Sequence, residues 1–167
     1  MTIASQNNQS NQQVTEFSAG DERYLRQAIV LSQQAGARGN RPFGAVIADA
    51  SGALVAQAEN DTITAHDCTG HAETNALRIA CGKLDRAALA GCTLYASGEP
   101  CVMCAGALVH ARIRRLVFAA RDLRFGGVRS KFELADSDLL NHRIEVIEGP
   151  LAAECTALLQ EFFQMRR

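Results

Sequence analysis

The sequence predicts an α/β fold, with one sheet covered on both faces by helices. Strand-like and helix-like segments alternate along most of the chain, which is the pattern of such a sheet. Its 167 residues, 47% apolar and 21% charged, suit one globular domain with a substantial core. No repeat or linker divides it, so a single domain is expected over residues 18–167 behind a disordered polar tail, residues 1–17.

The tail is rich in Gln, Asn and Ser and offers little apolar surface to bury. It has neither a basic start nor an apolar middle, so it does not read as a signal peptide, and no apolar run is long enough to span a bilayer. A cytoplasmic protein is expected. From Asp21, "DERYLRQAIVLSQQAGARG" has the pattern of a capped amphipathic helix ending near a glycine. "FGAVIADASGALVAQAEN" reads as two strands joined at Ser51-Gly52, followed by a polar loop.

A helix is expected from about His71 to Cys81-Gly82, then a strand in "CTLYASG" and a helix in "CVMCAGALVHA". "RRLVFAA" is the next strand. A glycine-containing loop, a short helix near "KFELADSDLL", a strand "RIEVI" and a helix from Pro150 complete the chain.

The formal net charge of −1 argues against a broad electrostatic grip on nucleic acid. Arg112, Arg114, Arg115, Arg121, Arg124 and Arg129 nevertheless cluster in sequence, either as a solvated face or as a phosphate-contacting one. Of six cysteines, only Cys101 and Cys104 form a close pair; in a cytosolic chain this suggests metal or redox chemistry. Cys81, Cys92 and Cys155 have apolar neighbours and read as small core residues.

Cys101 and Cys104 are three apart at a helix start, so both sulfurs can face one point, and the helix N-terminus favours their thiolates. Pro100 fixes the entry angle without losing a needed hydrogen bond. His71, at another helix start, can supply an imidazole to the same point. Two thiolates and an imidazole suit Zn²⁺ and leave a fourth position for water, the catalytic type of site. Zinc lowers the pKa of bound water from about 15.7 toward about 7. Glu73, beside His71, can take that water's proton and pass it to a leaving amine. Two plainer alternatives are a closed structural zinc site completed by Cys68 or His66, and unrelated core cysteines with a helix-capping Glu.

His71-Ala72-Glu73 followed by "PCVMC" at 100–104 resembles the zinc-dependent cytidine/purine deaminase superfamily. The resemblance covers about Asp21 to Arg167. It implies a three-layer fold with a mixed five-stranded sheet between helices. It also implies His71, Cys101 and Cys104 as zinc ligands, Glu73 as general acid/base, and a homodimer with active sites near the subunit interface.

Within that superfamily the chain is similar to two groups. From "GEPCVMCAGALVHARIRRLVFAARD" to the terminal "FFQMRR" it looks like bacterial tRNA adenosine deaminases. That match places Asn60 and Phe163 near the base and Arg166 and Arg167 near RNA phosphates. "RPFGAVIAD", "TGHAETN" and "LAGCTLY" resemble guanine and nucleoside deaminases instead, and Cys68 replaces a usual Pro. Phe43, which equally suits a strand-start core position, would there narrow a small pocket. Ala72 joins the expected substrate contacts. Asn60 can be a turn residue or can donate and accept on a purine edge.

A free purine base or nucleoside, guanine first, is therefore the expected substrate, favoured by the near-neutral charge; tRNA adenosine is the alternative. A catalytically idle zinc-binding interaction protein is a third reading, opposed by the presence of Glu73. His110 and His142 lie far from the motifs and read as structural.

Overall fold

The computed structural model describes residues 17–167. The elements are α1 Ala19–Ala37, β1 Gly44–Ala48, β2 Leu54–Glu59, α2 Ala72–Leu84, β3 Thr93–Gly98, α3 Val102–His110, β4 Arg115–Ala120, β5 Glu145–Glu148 and α4 Ala152–Gln164. The expected tail lies outside the described residues except for Phe17, which packs against the core under α1.

The five strands form one sheet in the order β2-β1-β3-β4-β5. β1 runs antiparallel to β2 and β3, whereas β3, β4 and β5 are parallel. β1, β3 and β4 are buried on both faces, and successive residues serve opposite cores. Ile47, Leu94, Leu116 and Phe118 join α2 and α3 in one core. Val46, Tyr95 and Val117 join α1 and Cys155 of α4 in the other. The three-layer α/β expectation is met.

α1 starts at Ala19, two residues before the sequence pattern suggested, because Ser18 and Asp21 form a capping box. The Asp21 amide donates to Ser18 Oγ at 3.1 Å, and the Ser18 amide donates to Asp21 Oδ2 at 2.8 Å. The same carboxylate accepts both terminal nitrogens of buried Arg115 and the Tyr95 hydroxyl, tying α1 to β3 and β4. Burial opposes the charge on Asp21. Arg115, the Ser18 amide, Tyr95 and the Ser18 hydroxyl outweigh burial and hold the carboxyl well below the usual carboxylate range.

The short helix expected near "KFELADSDLL" does not form. Its backbone is held by distant partners: the Leu134 amide donates to Gly127 O at 3.0 Å, and Ala135 O accepts the Ile144 amide at 2.8 Å. Ser137 Oγ accepts the Leu139 amide, a local bond that competes with a helical turn. The last helix begins at Ala152, after left-handed backbone at Gly149 and Leu151. Cys92 and Cys155 are buried as expected, while Cys81 is half-buried at the core edge.

Asp21→Asn should lower stability by about 3–5 kcal/mol, the scale for breaking a buried ion pair. Because the folded-state pKa is depressed, this contribution is complete above the unfolded Asp value of about 3.9 and disappears as pH falls through the folded value. Urea titrations of both proteins across acid pH should therefore converge as pH drops.

Candidate metal centre and active site

The site forms where helix starts and strand ends meet. β3 and β4 end at Gly98 and Ala120, and antiparallel β1 begins beside them at Gly44. His71 is the N-cap of α2 and Cys101 the N-cap of α3, both with extended backbone and neither capping its own helix. At this position the side chain leaves the helix, so His71 is not constrained to the helical spacing that would turn it from Glu73.

Both Cys101 Sγ and Cys104 Sγ lie 3.5 Å from His71 Nδ1. All three donor atoms fall within 4.8 Å of one another. A tetrahedral centre with ordinary Zn–S and Zn–N bonds separates sulfur and nitrogen by about 3.6 Å, so the spacing fits zinc. Hydrogen bonding to Cys104 pulls the Cys101 thiol down to about 4 against burial, with His71 assisting. The Cys101 bond, followed by burial, raises the Cys104 thiol. Zinc binding takes thiolates, so loading the site would release the protons of this pair. His71 is shifted upward, first by its bond to Cys101.

Glu73, in the first turn of α2, is 6% exposed, and its Oε2 lies 3.6 Å from Cys104 Sγ. Burial pushes its carboxyl up to about 7, opposed first by its own backbone amide. Cys68 and His66 are exposed and outside the His71-Cys101-Cys104 group, the only metal-binding group among the described residues. The closed structural alternative therefore lacks its fourth ligand there.

A cleft of about 680 Å³ opens over these groups and is lined by Phe43, Asn60, His71, Glu73, Cys101 and Phe163, among others. Phe43 is half-buried against the core and also lines the cleft. A Cβ on Gly98 would lie 2.8 Å from its ring, so Phe43 packs directly against that glycine. Asn60 is buried, and its Oδ1 accepts both the amide and hydroxyl of Thr62. Ala72 is fully buried, and its side chain joins the core formed with α2 and α3.

The arginine cluster separates in space. Arg115 is buried on Asp21, Arg121 pairs with Glu148, and Arg129 pairs with Asp136. Arg41 and Arg124 are exposed at the cleft beside Leu123 and Phe125. Arg166 lies over the Phe162 ring at 4.1 Å and donates to Gly36 O and Gly39 O. His142 meets the structural expectation through Ile113 O at 2.7 Å, and His110 is exposed.

Sequence reasoning missed Glu99 and Asn40. Buried Asn40 accepts the Ile63 and Thr64 amides, clamping one cleft loop. Gly70 and Asn75, which suggested a nucleoside enzyme, fasten the same loop. Asn75 Nδ2 donates to Glu59 O and Asp61 Oδ1, and a Cβ on Gly70 would lie 2.3 Å from that Asp61 oxygen. These residues stand in loops or at element ends, and their hydrogen-bond partners lie up to 31 residues away in sequence.

This donor set, with a buried carboxylate beside it at the ends of a mixed sheet, defines a zinc-dependent aminohydrolase. The chain belongs to the cytidine and deoxycytidylate deaminase zinc-binding family, whose zinc-binding region matches residues 18–120. It is 43% identical over 147 residues to the tRNA-specific adenosine deaminase of Haemophilus influenzae, covering 88% of this chain and 85% of that protein. A structure from a study of A-to-I editing by tRNA:A34 deaminases at the wobble position superposes with a TM-score of 0.79 at 36% identity, covering 83% of this chain and 99% of the other. The guanine deaminase of Nitrosomonas europaea gives 0.74 at 31% identity, covering 84% and 83%.

Cys104→Ala should reduce zinc, measured by elemental analysis, from about one ion per chain to a small fraction of that, since three protein ligands form the catalytic type of site. Full zinc retention would contradict the ligand assignment.

Proposed function

We propose that the protein deaminates adenosine to inosine in a tRNA anticodon loop. The observation that carries this reading is 43% identity over 88% of the chain to a tRNA-specific adenosine deaminase. The expected preference for a free purine rested on Phe43 and the near-neutral charge. Both lose weight for physical reasons. Phe43 packs over Gly98, and the formal charge averages internally paired groups with Arg41 and Arg124 at the open rim.

The rim suits a nucleotide carried in a longer chain. Leu123, Phe125 and Phe163 are 72%, 59% and 50% exposed, and Arg124 lies beside the Phe125 ring. Apolar and aromatic surfaces next to arginine support unstacked bases and their backbone. Free guanine remains a second reading, supported by the likeness to guanine deaminase.

His71 Nδ1, Cys101 Sγ and Cys104 Sγ would hold zinc, which would make hydroxide available from water near neutral pH. Glu73 accepts the proton released from water and delivers it to the departing amino group. Its carboxylate, buried in the first turn of α2 beside the ligand set, is placed for both transfers. The balance is adenosine plus water to inosine plus ammonia. With Asn60 Oδ1 held by Thr62, its Nδ2 is left to donate to a ring acceptor of the base. Phe43 supplies a cleft wall, and Phe163 borders the base from α4. Ala72 contributes through its placement of Glu73. The homodimer implied by the resemblance belongs to this reading.

Glu73→Ala should retain zinc and lose at least about 100-fold in ammonia release, the scale of general acid–base catalysis. Ammonia assays with an anticodon stem-loop, free adenosine and guanine should show turnover of the RNA. Turnover of guanine alone would replace this reading with the second one.

A further inference from the structure

We infer that Glu99 is a positioning residue that folds the substrate-facing loop, residues 121–130, over the zinc-bearing turn and thereby sets substrate affinity. This rests on the cleft being the RNA-adenosine site. Glu99 is only 3% exposed and lies between the end of β3 and Pro100-Cys101. Among the described residues no cation forms an ion pair with it. Its Oε1 accepts three successive backbone amides, Val128 at 3.1 Å, Arg129 at 2.6 Å and Ser130 at 2.8 Å. Its Oε2 accepts the Asp122 amide at 3.0 Å and the Ser130 hydroxyl. Successive amides facing inward form an anion-binding concavity, here occupied by the chain's own carboxylate.

The loop passes too close for a side chain at either of its paired glycines. A Cβ on Gly126 would lie 2.3 Å from the Glu99 carboxyl carbon, and one on Gly127 would lie 2.8 Å from the Val102 backbone. The Gly127 amide also donates to Pro100 O at 2.8 Å, and Gly126 bridges to Cys101. Gly126-Gly127, which in sequence is a turn signal, is therefore a close approach of two backbones around a carboxylate. With its amides turned inward on Glu99, the loop carries Leu123, Arg124 and Phe125 on its outside, along the cleft.

The contacts also specify what Glu99→Gln would do. If the remaining oxygen keeps the three amides at Val128–Ser130, the new NH₂ group faces the Asp122 amide. Ser130 can turn its hydroxyl to accept, but the Asp122 amide loses its acceptor. The damage falls on the half of the loop bearing Leu123, Arg124 and Phe125, while the zinc ligands stay in place.

Glu99→Gln should therefore keep zinc and kcat close to wild type and raise KM for the anticodon stem-loop by about tenfold, the scale of one lost charge-assisted hydrogen bond. Amide hydrogen exchange should accelerate at 122–126 more than at 102–110. Ser130→Ala removes only one donor and should change KM in the same direction by less. Unchanged KM and exchange in Glu99→Gln, or a fall in kcat at constant KM, would overturn the inference. If Glu99→Gln does not fold, Ser130→Ala decides: raised KM with zinc retained supports the inference, and unchanged KM overturns it. Failure of the wild type to turn over the RNA would instead strike the functional reading, which the exchange measurement does not depend on.

Discussion

Two helices that start at the same end of one sheet, each with a metal ligand at its N-cap, form the constraint on which the rest depends. Ser, Thr, Asp or Asn at an N-cap would satisfy a first-turn amide and stabilise each helix by about 1 kcal/mol. His71 and Cys101 make no such bond and face each other instead. The chain thus exchanges local helix stability for a convergent donor set, and zinc binding couples that set back to folding. Cys104, one turn into α3, completes it, and Glu73, in the first turn of α2, stands beside it.

Holding such a set requires loops that do not drift, and buried polar side chains hold them here. Asn40 fixes the loop after β2, Asp61 and Asn75 fasten its return to His71, and Glu99 gathers the loop after β4. In each case a side-chain oxygen accepts backbone or side-chain donors from a neighbouring segment and so fixes that segment's position. The core strands support these attachments: β1, β3 and β4 are buried throughout, and Asp21 and Arg115 lock α1 across β3 and β4.

Electrostatics follow the same division between interior and rim. The formal charge is −1, and Arg115, Arg121 and Arg129 are each answered by a carboxylate of the same chain. Arg41 and Arg124 remain at the cleft, next to exposed apolar side chains. A charge total therefore says little about what the cleft receives; the placement of two side chains says more. No described helix is long and apolar enough to cross a membrane.

The sequence by itself determined the α/β class, the β1–β2 hairpin and the His-Cys-Cys donor set with Glu73, because these depend on local periodicity and short spacings. The capping box at Ser18 and Asp21 was equally local, though the first expected start lay two residues later. Only tertiary structure decided that 131–140 would not be helical, since its backbone partners come from Gly127 and Ile144. It also separated the arginines, packed Phe43 against Gly98, and revealed Glu99 within a ring of amides 23 to 31 residues away in sequence. Hydrogen bonds between remote backbone groups leave no periodic trace, so these arrangements become visible only when the strands have brought their ends together.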